Sequence, residues 1–130
     1  NKVIMASLMK NVIPGLTQPS GLNVNHLSHD VTIAEKYKND PLVHGKISVG
    51  LFFSAITAGR YSLVHASELK IPTLLLHGSD DMITSPEASR EFAGKTGMAE
   101  LKIWDGGYHE LHNEPFKDEV FNYIMNWINK

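Results

Sequence analysis

The residues best suited to chemistry lie in one short segment, DGGYHELHNEP, at positions 105–115. Gly106 and Gly107 allow the backbone to turn sharply, and His109 follows the turn among polar neighbours. Histidine is the side chain most often used for proton transfer near neutral pH. The pattern therefore predicts that His109 is a general base, and the group it would activate must be sought elsewhere in the chain.

A carboxylate that could orient this histidine precedes it by 28 residues, in the segment HGSDDMITSPEAS at 77–89. This spacing corresponds to one strand–helix–strand crossover, and neighbouring parallel strands lie about 4.8 Å apart. Loops at the same end of such strands can bring Asp81 to the imidazole Nδ1–H of His109, which would fix its tautomer and stabilise the imidazolium. Asp80 competes for the same role, since either aspartate could instead bond the N–H groups of its own loop.

The second half of the chain predicts the elements that would position these residues. An apolar run between Pro72 and Gly78 is typical of a strand buried on both faces. A helix is predicted next, with Ser85 as its N-cap, Pro86 in its first turn and an end at Gly94 or Gly97. The remaining predictions are a strand at 100–104 and a helix from Pro115 to about Asn129, with apolar residues Phe116, Val120, Phe121, Ile124, Met125, Trp127 and Ile128. This order predicts part of a parallel α/β sheet.

The first seventy residues show no comparable strand. Helical spacing occurs at 1–12, at 30–39 with Asp30 as a cap, and at 46–61, with a further turn or two at 62–69. A polar loop is predicted at 17–29. Two strands alone would leave unpaired edges, so we expect the strand at 73–78 to pair with a segment outside residues 1–70, from a missing N-terminal segment or another chain.

Composition narrows the classes of function. A chain of 130 residues with 42% hydrophobic content is long enough for one globular domain. A net charge of -2 and the lack of a basic run argue against nucleic-acid binding. There is no cysteine, which excludes disulfides, thiolate metal sites and a cysteine nucleophile. The apolar run at 47–59 is shorter than the roughly 20 residues that a membrane span needs.

The motifs together resemble a known family. The segments IPTLLLHGSDDMITSPEASREF, LKIWDGGYHELHNEP and VFNYIMNWI are similar to the C-terminal part of α/β-hydrolases of the monoacylglycerol lipase and lysophospholipase group. In that family an acid follows the penultimate strand and a base follows the last one. The match places the acid on Asp81 and the base on His109. The segment KYKNDPLVHGKIS at 36–48 resembles part of the family's helical cap, or lid.

The resemblance implies a division of the chain and a reaction. Residues 1–65 are expected to form the lid region, and residues 66–130 the C-terminal part of an incomplete α/β-hydrolase core. The expected reaction is serine-type hydrolysis of a monoacylglycerol or lysophospholipid ester without cofactor or metal. The cytoplasm or a membrane surface is the expected location, with transient membrane contact through the lid. The residues expected to contact the acyl chain are Ile47, Leu51, Phe52, Ile56 and Ile83, although the apolar stretch at 47–56 also fits an ordinary core.

The nucleophile of the family pattern has no counterpart here. A Gly-x-Ser-x-Gly elbow does not occur, and Ser48, Ser54 and Ser79 lack its flanking glycines. We therefore expect the nucleophilic serine to precede Asn1. The alternative is a catalytically inactive half that docks on another polypeptide. A metal hydrolase is a weaker alternative, because HELH at 109–112 is not the HExxH zinc motif.

Overall fold

The computed structural model describes residues 12–130, so the helix predicted at 1–12 lies almost wholly outside the described residues. The described helices and strands, in chain order, are β1 (Thr17–Pro19), α1 (Val31–Asn39), β2 (Lys46–Ser48), α2 (Val49–Val64), β3 (Thr73–Gly78), α3 (Pro86–Gly94), β4 (Ala99–Trp104) and α4 (Lys117–Ile128). Short 3-10 turns occur at Val24–His26, Ala66–Glu68 and Leu111–Asn113. None of the described helices is both long enough and apolar enough to cross a bilayer.

The β3–α3–β4 unit confirms the predicted parallel arrangement. The two strands pair in parallel from Thr73 opposite Ala99 to Gly78 opposite Trp104. Ser85 caps α3 as predicted, because its Oγ accepts a hydrogen bond from Ala88 N at 3.2 Å. Since the strands are in register, both end at the same edge of the sheet, and the loops carrying Asp81 and His109 leave it side by side.

The prediction that residues 1–70 contain no strand is wrong. β1 and β2 form a small antiparallel ladder, with Thr17 opposite Ser48 and Pro19 opposite Lys46. The predicted helix at 46–61 begins only at Val49, where the Oγ of Ser48 accepts from Leu51 N at 3.1 Å. Strands of three residues are too short to show alternating hydrophobicity, so the sequence pattern gave no sign of them.

The C-terminal helix begins two residues later than predicted. Phe116 holds the non-helical N-cap position, and α4 starts at Lys117. Val120 is buried on its inner side, whereas Phe121, Met125 and Ile128 are exposed. Part of the apolar face of α4 is therefore not covered by any other described residue.

Strand β3 is half-buried, not buried on both faces as predicted. Within residues 12–130 its sheet contains only β3 and β4, so each strand has one edge without a strand partner. Among the described residues, the buried apolar side chains are accordingly few: Leu27, Ala34, Val49, Ala66, Leu111 and Val120. Leu111 packs beneath the His109 loop, where its Cδ2 lies close to Gly107.

Candidate active site

Direct hydrogen bonds join the loops that follow β3 and β4. The backbone N–H of Ser79 donates to Trp104 O at 2.9 Å, and that of Asp80 donates to Gly107 O at 3.0 Å. The Oγ of Ser79 accepts from Gly106 N at 2.8 Å. Main-chain groups and the Ser79 hydroxyl thus join the two loops independently of the contact between the Asp81 and His109 side chains.

Glycine is required where the loops touch. A Cβ on Gly78 would collide with the carbonyl groups of Gly107 and Tyr108. Gly106 adopts a φ of 70°, a left-handed conformation that residues with a side chain rarely adopt. The double glycine therefore serves two purposes: it reverses the chain after β4 and lets the His109 loop approach the end of β3.

The structure brings Asp81 and His109 together. His109 Nδ1–H donates a hydrogen bond to Asp81 Oδ2 at 2.9 Å. The Asp81 side chain is 2% exposed and that of His109 is 34% exposed. Because a carboxylate can only accept, Nδ1 carries the hydrogen and Nε2 is left with its lone pair. Within residues 12–130, Nε2 makes no hydrogen bond, so it is open to an incoming group.

Asp81 is further held by its own loop. Its Oδ1 accepts from the N–H groups of Ile83 at 2.7 Å and Thr84 at 3.0 Å, and its Oδ2 accepts from Thr84 Oγ1 at 2.7 Å. Burial alone would raise the pKa of Asp81, but the hydrogen bonds from His109, Thr84 and Ile83 outweigh it and hold the pKa well below its ordinary value. Asp81 is therefore ionised at neutral pH.

Asp80 occupies a different environment. It is exposed, and its Oδ1 accepts a hydrogen bond from Ser79 Oγ at 2.8 Å. No hydrogen bond or ion pair joins its carboxylate to His109 among the described residues. The geometry thus favours Asp81 over Asp80 as the partner of the histidine.

The position of His77 at the end of the first predicted strand indicates a packed or hydrogen-bonded core histidine, and the structure places it next to this pair. Its Nε2 lies 3.0 Å from Asp81 Oδ2, and its Nδ1 lies 2.7 Å from Ser89 Oγ on α3. Leu76, His77, Asp81, Thr84 and His109 together line a cavity of about 140 Å³. A histidine four residues before the acid was the available signal, but sequence alone does not show which way a side chain at a strand end points.

Glu114 is a further residue near the pair, and the sequence analysis did not single it out. It is fully buried, and its Oε1 accepts from Tyr108 N at 2.7 Å while its Oε2 accepts from His29 N at 3.1 Å. His29 Nδ1–H lies 3.1 Å from both carboxylate oxygens, and its ring stacks on Tyr108 at 3.7 Å. Glu114 therefore fastens the His109 loop to the segment around residue 29. Nothing in the sequence pattern distinguished this glutamate from a surface residue.

Of the five residues expected to contact an acyl chain, only Ile83 adjoins the Asp81–His109 pair, through its backbone N–H. Ile47 is half-buried on β2, and Leu51, Phe52 and Ile56 are exposed on α2. None of these four lines the 140 Å³ cavity. A larger cavity of about 600 Å³ borders α2 at Gly50, Phe53, Ser54, Thr57, Ala58 and Tyr61, together with Pro14, and does not include the pair.

The other histidines have structural contacts. Nε2 of His26 accepts from the Asn23 amide at 3.0 Å, and Nδ1–H of His65 donates to Tyr61 O at 2.9 Å. His112, the second histidine of HELH, is exposed. Residues 12–130 contain no group of three or more His, Asp or Glu arranged to hold a metal ion.

The three serines considered above take structural positions too. Ser48 caps α2, Ser79 donates to Asp80, and Ser54 is exposed on α2. None of them hydrogen-bonds His109 in the described part of the chain. Among residues 12–130, His109 is therefore oriented by Asp81 but has no serine hydrogen-bonded to it.

Comparison with known proteins assigns the class. Residues 1–116 match the sequence family Hydrolase_4, described as serine aminopeptidase, S33. The chain belongs to this hydrolase family, and its fold is part of an α/β-hydrolase.

Individual relatives agree with this assignment. An uncharacterized abhydrolase domain-containing protein of Dictyostelium discoideum is 35% identical over 98% of the chain and 14% of its own length. A monoacylglycerol lipase of Mycolicibacterium smegmatis is 30% identical over 97% of the chain and 46% of its own length. The crystal structure of a monoacylglycerol lipase from Paleococcus ferrophilus superposes with a TM-score of 0.91 at 32% identity, over 97% of this chain and 50% of the lipase. The chain thus spans half or less of the length of these proteins.

Proposed function

We propose that Asp81 and His109 are the acid and base of a serine-hydrolase triad that cleaves the ester of a monoacylglycerol or lysophospholipid. The observation that carries the proposal is the 2.9 Å hydrogen bond from His109 to a buried, ionised Asp81, with Nε2 left open. Membership in a hydrolase family and similarity to two monoacylglycerol lipases support it. The nucleophilic serine is supplied by polypeptide outside these 130 residues.

The reaction proceeds in two halves. The serine Oγ attacks the ester carbonyl while His109 Nε2 takes its proton, and the imidazolium then returns that proton to the leaving alcohol. Water attacks the acyl-serine with the same assistance and releases the fatty acid. In both halves Asp81 stays ionised, holds Nδ1–H and stabilises the imidazolium. The chemistry requires neither a cofactor nor a metal.

The lid and the acyl pocket belong to the same proposal. Residues 1–65 form the lid and residues 66–130 the C-terminal part of the core. Ile47, Leu51, Phe52, Ile56 and Ile83 contact the acyl chain or a lipid surface. The exposure of Leu51 (61%), Phe52 (36%) and Ile56 (37%) supports this role, because apolar side chains open to water on one helix suit an apolar ligand.

The test is hydrolysis of a 2-acylglycerol by the longer protein that carries these residues. We expect His109→Ala and Asp81→Asn each to lower kcat by about a thousandfold or more, as for other triads. Asp80→Asn is the matched control and should keep at least half of the native rate. Equal losses in Asp80→Asn and Asp81→Asn would refute the assignment of the acid.

A second function, that of a non-catalytic half docking on another polypeptide, is favoured by two observations. No serine within residues 12–130 hydrogen-bonds His109, and β3 and β4 each leave an edge without a strand partner. This alternative predicts no ester turnover even by the longer protein, so the same assay separates the two functions.

A further inference from the structure

The acid of the proposed triad has two imidazoles as neighbours. On one side of the Asp81 carboxylate stands His109, and on the other stands His77, whose Nε2 is 3.0 Å from Oδ2. The His77 side chain is 12% exposed and that of Asp81 is 2% exposed, so water screens the contact only weakly. The catalytic scheme above gives His77 no part, although its Nε2 lies next to the carboxylate in a largely buried setting.

The surrounding atoms determine which His77 nitrogen carries the hydrogen. Two atoms with lone pairs only would repel each other at 3.0 Å, so Nε2 must carry a hydrogen where it faces the ionised Asp81. The same N–H reaches Thr84 Oγ1, which lies 3.3 Å away and donates its own hydrogen to Asp81 Oδ2. On the far side of the ring, Ser89 Oγ–H donates to Nδ1 at 2.7 Å. The neutral tautomer of His77 satisfies every one of these contacts.

We propose that His77 is a positioning residue for the hydrolase reaction, which acts by presenting Nε2–H to Asp81 and Thr84. This inference rests on the proposed function. Ser89 on α3 contacts Nδ1 of the ring, while Nε2 lies within hydrogen-bond distance of Thr84 Oγ1 and 3.0 Å from Asp81 Oδ2. Oδ2 in turn accepts the hydrogen bond from His109 Nδ1–H. His77 therefore supports the position in which Asp81 holds the His109 ring, without touching the substrate.

The experiment compares two replacements of His77 in the longer protein. The side-chain nitrogen of glutamine can occupy the place of Nε2 and still donate, whereas leucine fills similar space without a donor. We expect His77→Leu to lower kcat for a 2-acylglycerol about tenfold or more with KM changed less than twofold, and His77→Gln to restore most of the loss. His65→Leu and His65→Gln are the matched controls, because the His65 ring contacts Tyr61, by a hydrogen bond to its carbonyl oxygen and by stacking, and has no hydrogen bond to Asp81 or His109 within the described residues. Both controls should keep the native kcat.

Several outcomes would overturn the inference. A native kcat in His77→Leu would show that the N–H is dispensable, and equal losses in the leucine and glutamine variants would show that only packing matters. His77→Met serves as a second apolar variant if the leucine variant fails to fold, which thermal unfolding reveals. Should the native protein hydrolyse no ester, or do so independently of His109, the proposed function itself fails and this inference with it.

Discussion

At the scale of single residues, the central feature is a carboxylate that accepts far more hydrogen bonds than its neighbour Asp80. Asp81 receives two backbone N–H groups, the hydroxyl of Thr84 and the ring of His109. The sequence predicted the pairing of Asp81 with His109, since chain spacing and parallel-sheet geometry require only that two loops leave the same edge. His77 was missed because its contact depends on a side-chain direction that spacing does not encode.

The depressed pKa of Asp81 predicts a specific acid response. A carboxyl whose pKa is lower in the folded than in the unfolded state stabilises the fold above the unfolded value, about 4, and this contribution is lost as pH falls toward the folded pKa. We expect Asp81→Asn to be less stable than the native protein at pH 7, and the difference in unfolding free energy to shrink steadily below about pH 4.

Urea unfolding at pH 7, 5, 4 and 3 measures this difference. Asp105→Asn is the control, because Asp105 is exposed and should show little difference from the native protein at any of these pH values. A gap between native and Asp81→Asn that stays constant from pH 7 to pH 3 would contradict the assigned environment of Asp81.

At the scale of elements, the second half of the chain was predictable, whereas in the first half the helices were predictable and the strands were not. The helix predicted at 30–39 is confirmed as α1 (Val31–Asn39) with Asp30 as its N-cap. β3, α3 and β4 each carry a strong local signal: an unbroken apolar run, a Ser-Pro-Glu helix start, and a second apolar run of strand length. β1 and β2 pair across 27 or more residues and are three residues each, so no local pattern specifies them. The late start of α4 follows from the turn around buried Glu114, whose carbonyl oxygen accepts a hydrogen bond from Lys117 N at 3.0 Å.

The contact between the β3 and β4 loops predicts the effect of one methyl group. In Gly78→Ala the new Cβ would collide with the backbone carbonyls of Gly107 and Tyr108, which cannot move without breaking the hydrogen bonds that join the loops. We expect a loss of about 2 to 4 kcal/mol in unfolding free energy, in the range of other strained or overpacked sites. Esterase activity of the longer protein should fall with it.

Gly97→Ala is the matched control, since nothing lies within 4 Å of a Cβ there. Its unfolding free energy should stay within about 0.5 kcal/mol of the native value. Unfolding of the two alanine variants at the same denaturant concentration would contradict the close approach of the Gly107 and Tyr108 carbonyl groups to Gly78.

The contacts of Glu114 predict that the conformation of the loop carrying His109 depends on the segment around residue 29. Glu114→Gln exchanges one acceptor oxygen for an amide that faces N–H donors, leaving a buried donor of Tyr108 or His29 unsatisfied. We expect an unfolding free energy lower by about 2 to 3 kcal/mol, the cost of a lost bond to a charged group.

Chemical denaturation measures this loss of unfolding free energy. Glu119→Gln is the control, because Glu119 is an exposed residue of α4. The NMR signal of His109 Nδ1–H should broaden in Glu114→Gln and stay sharp in the control. An unchanged signal together with unchanged stability would show that Glu114 does not hold the loop.

At the scale of the whole molecule, the described residues bring Asp81 and His109 together at one end of a two-stranded sheet. β3 and β4 each lack a strand partner on one edge within residues 12–130, and α4 exposes Phe121, Met125 and Ile128. The chain also spans half or less of the length of the relatives described above. These observations support a second polypeptide segment that completes the sheet and brings a serine to His109 Nε2.

The most direct test of the central claim is covalent labelling with a fluorophosphonate, which reacts with activated serines. We predict no adduct on the 130-residue chain, and one adduct on the longer protein that is lost in both His109→Ala and Asp81→Asn. Mass spectrometry should place the adduct on a serine outside these 130 residues. An adduct on Ser48, Ser54 or Ser79, or labelling of the longer protein that survives His109→Ala, would contradict the account.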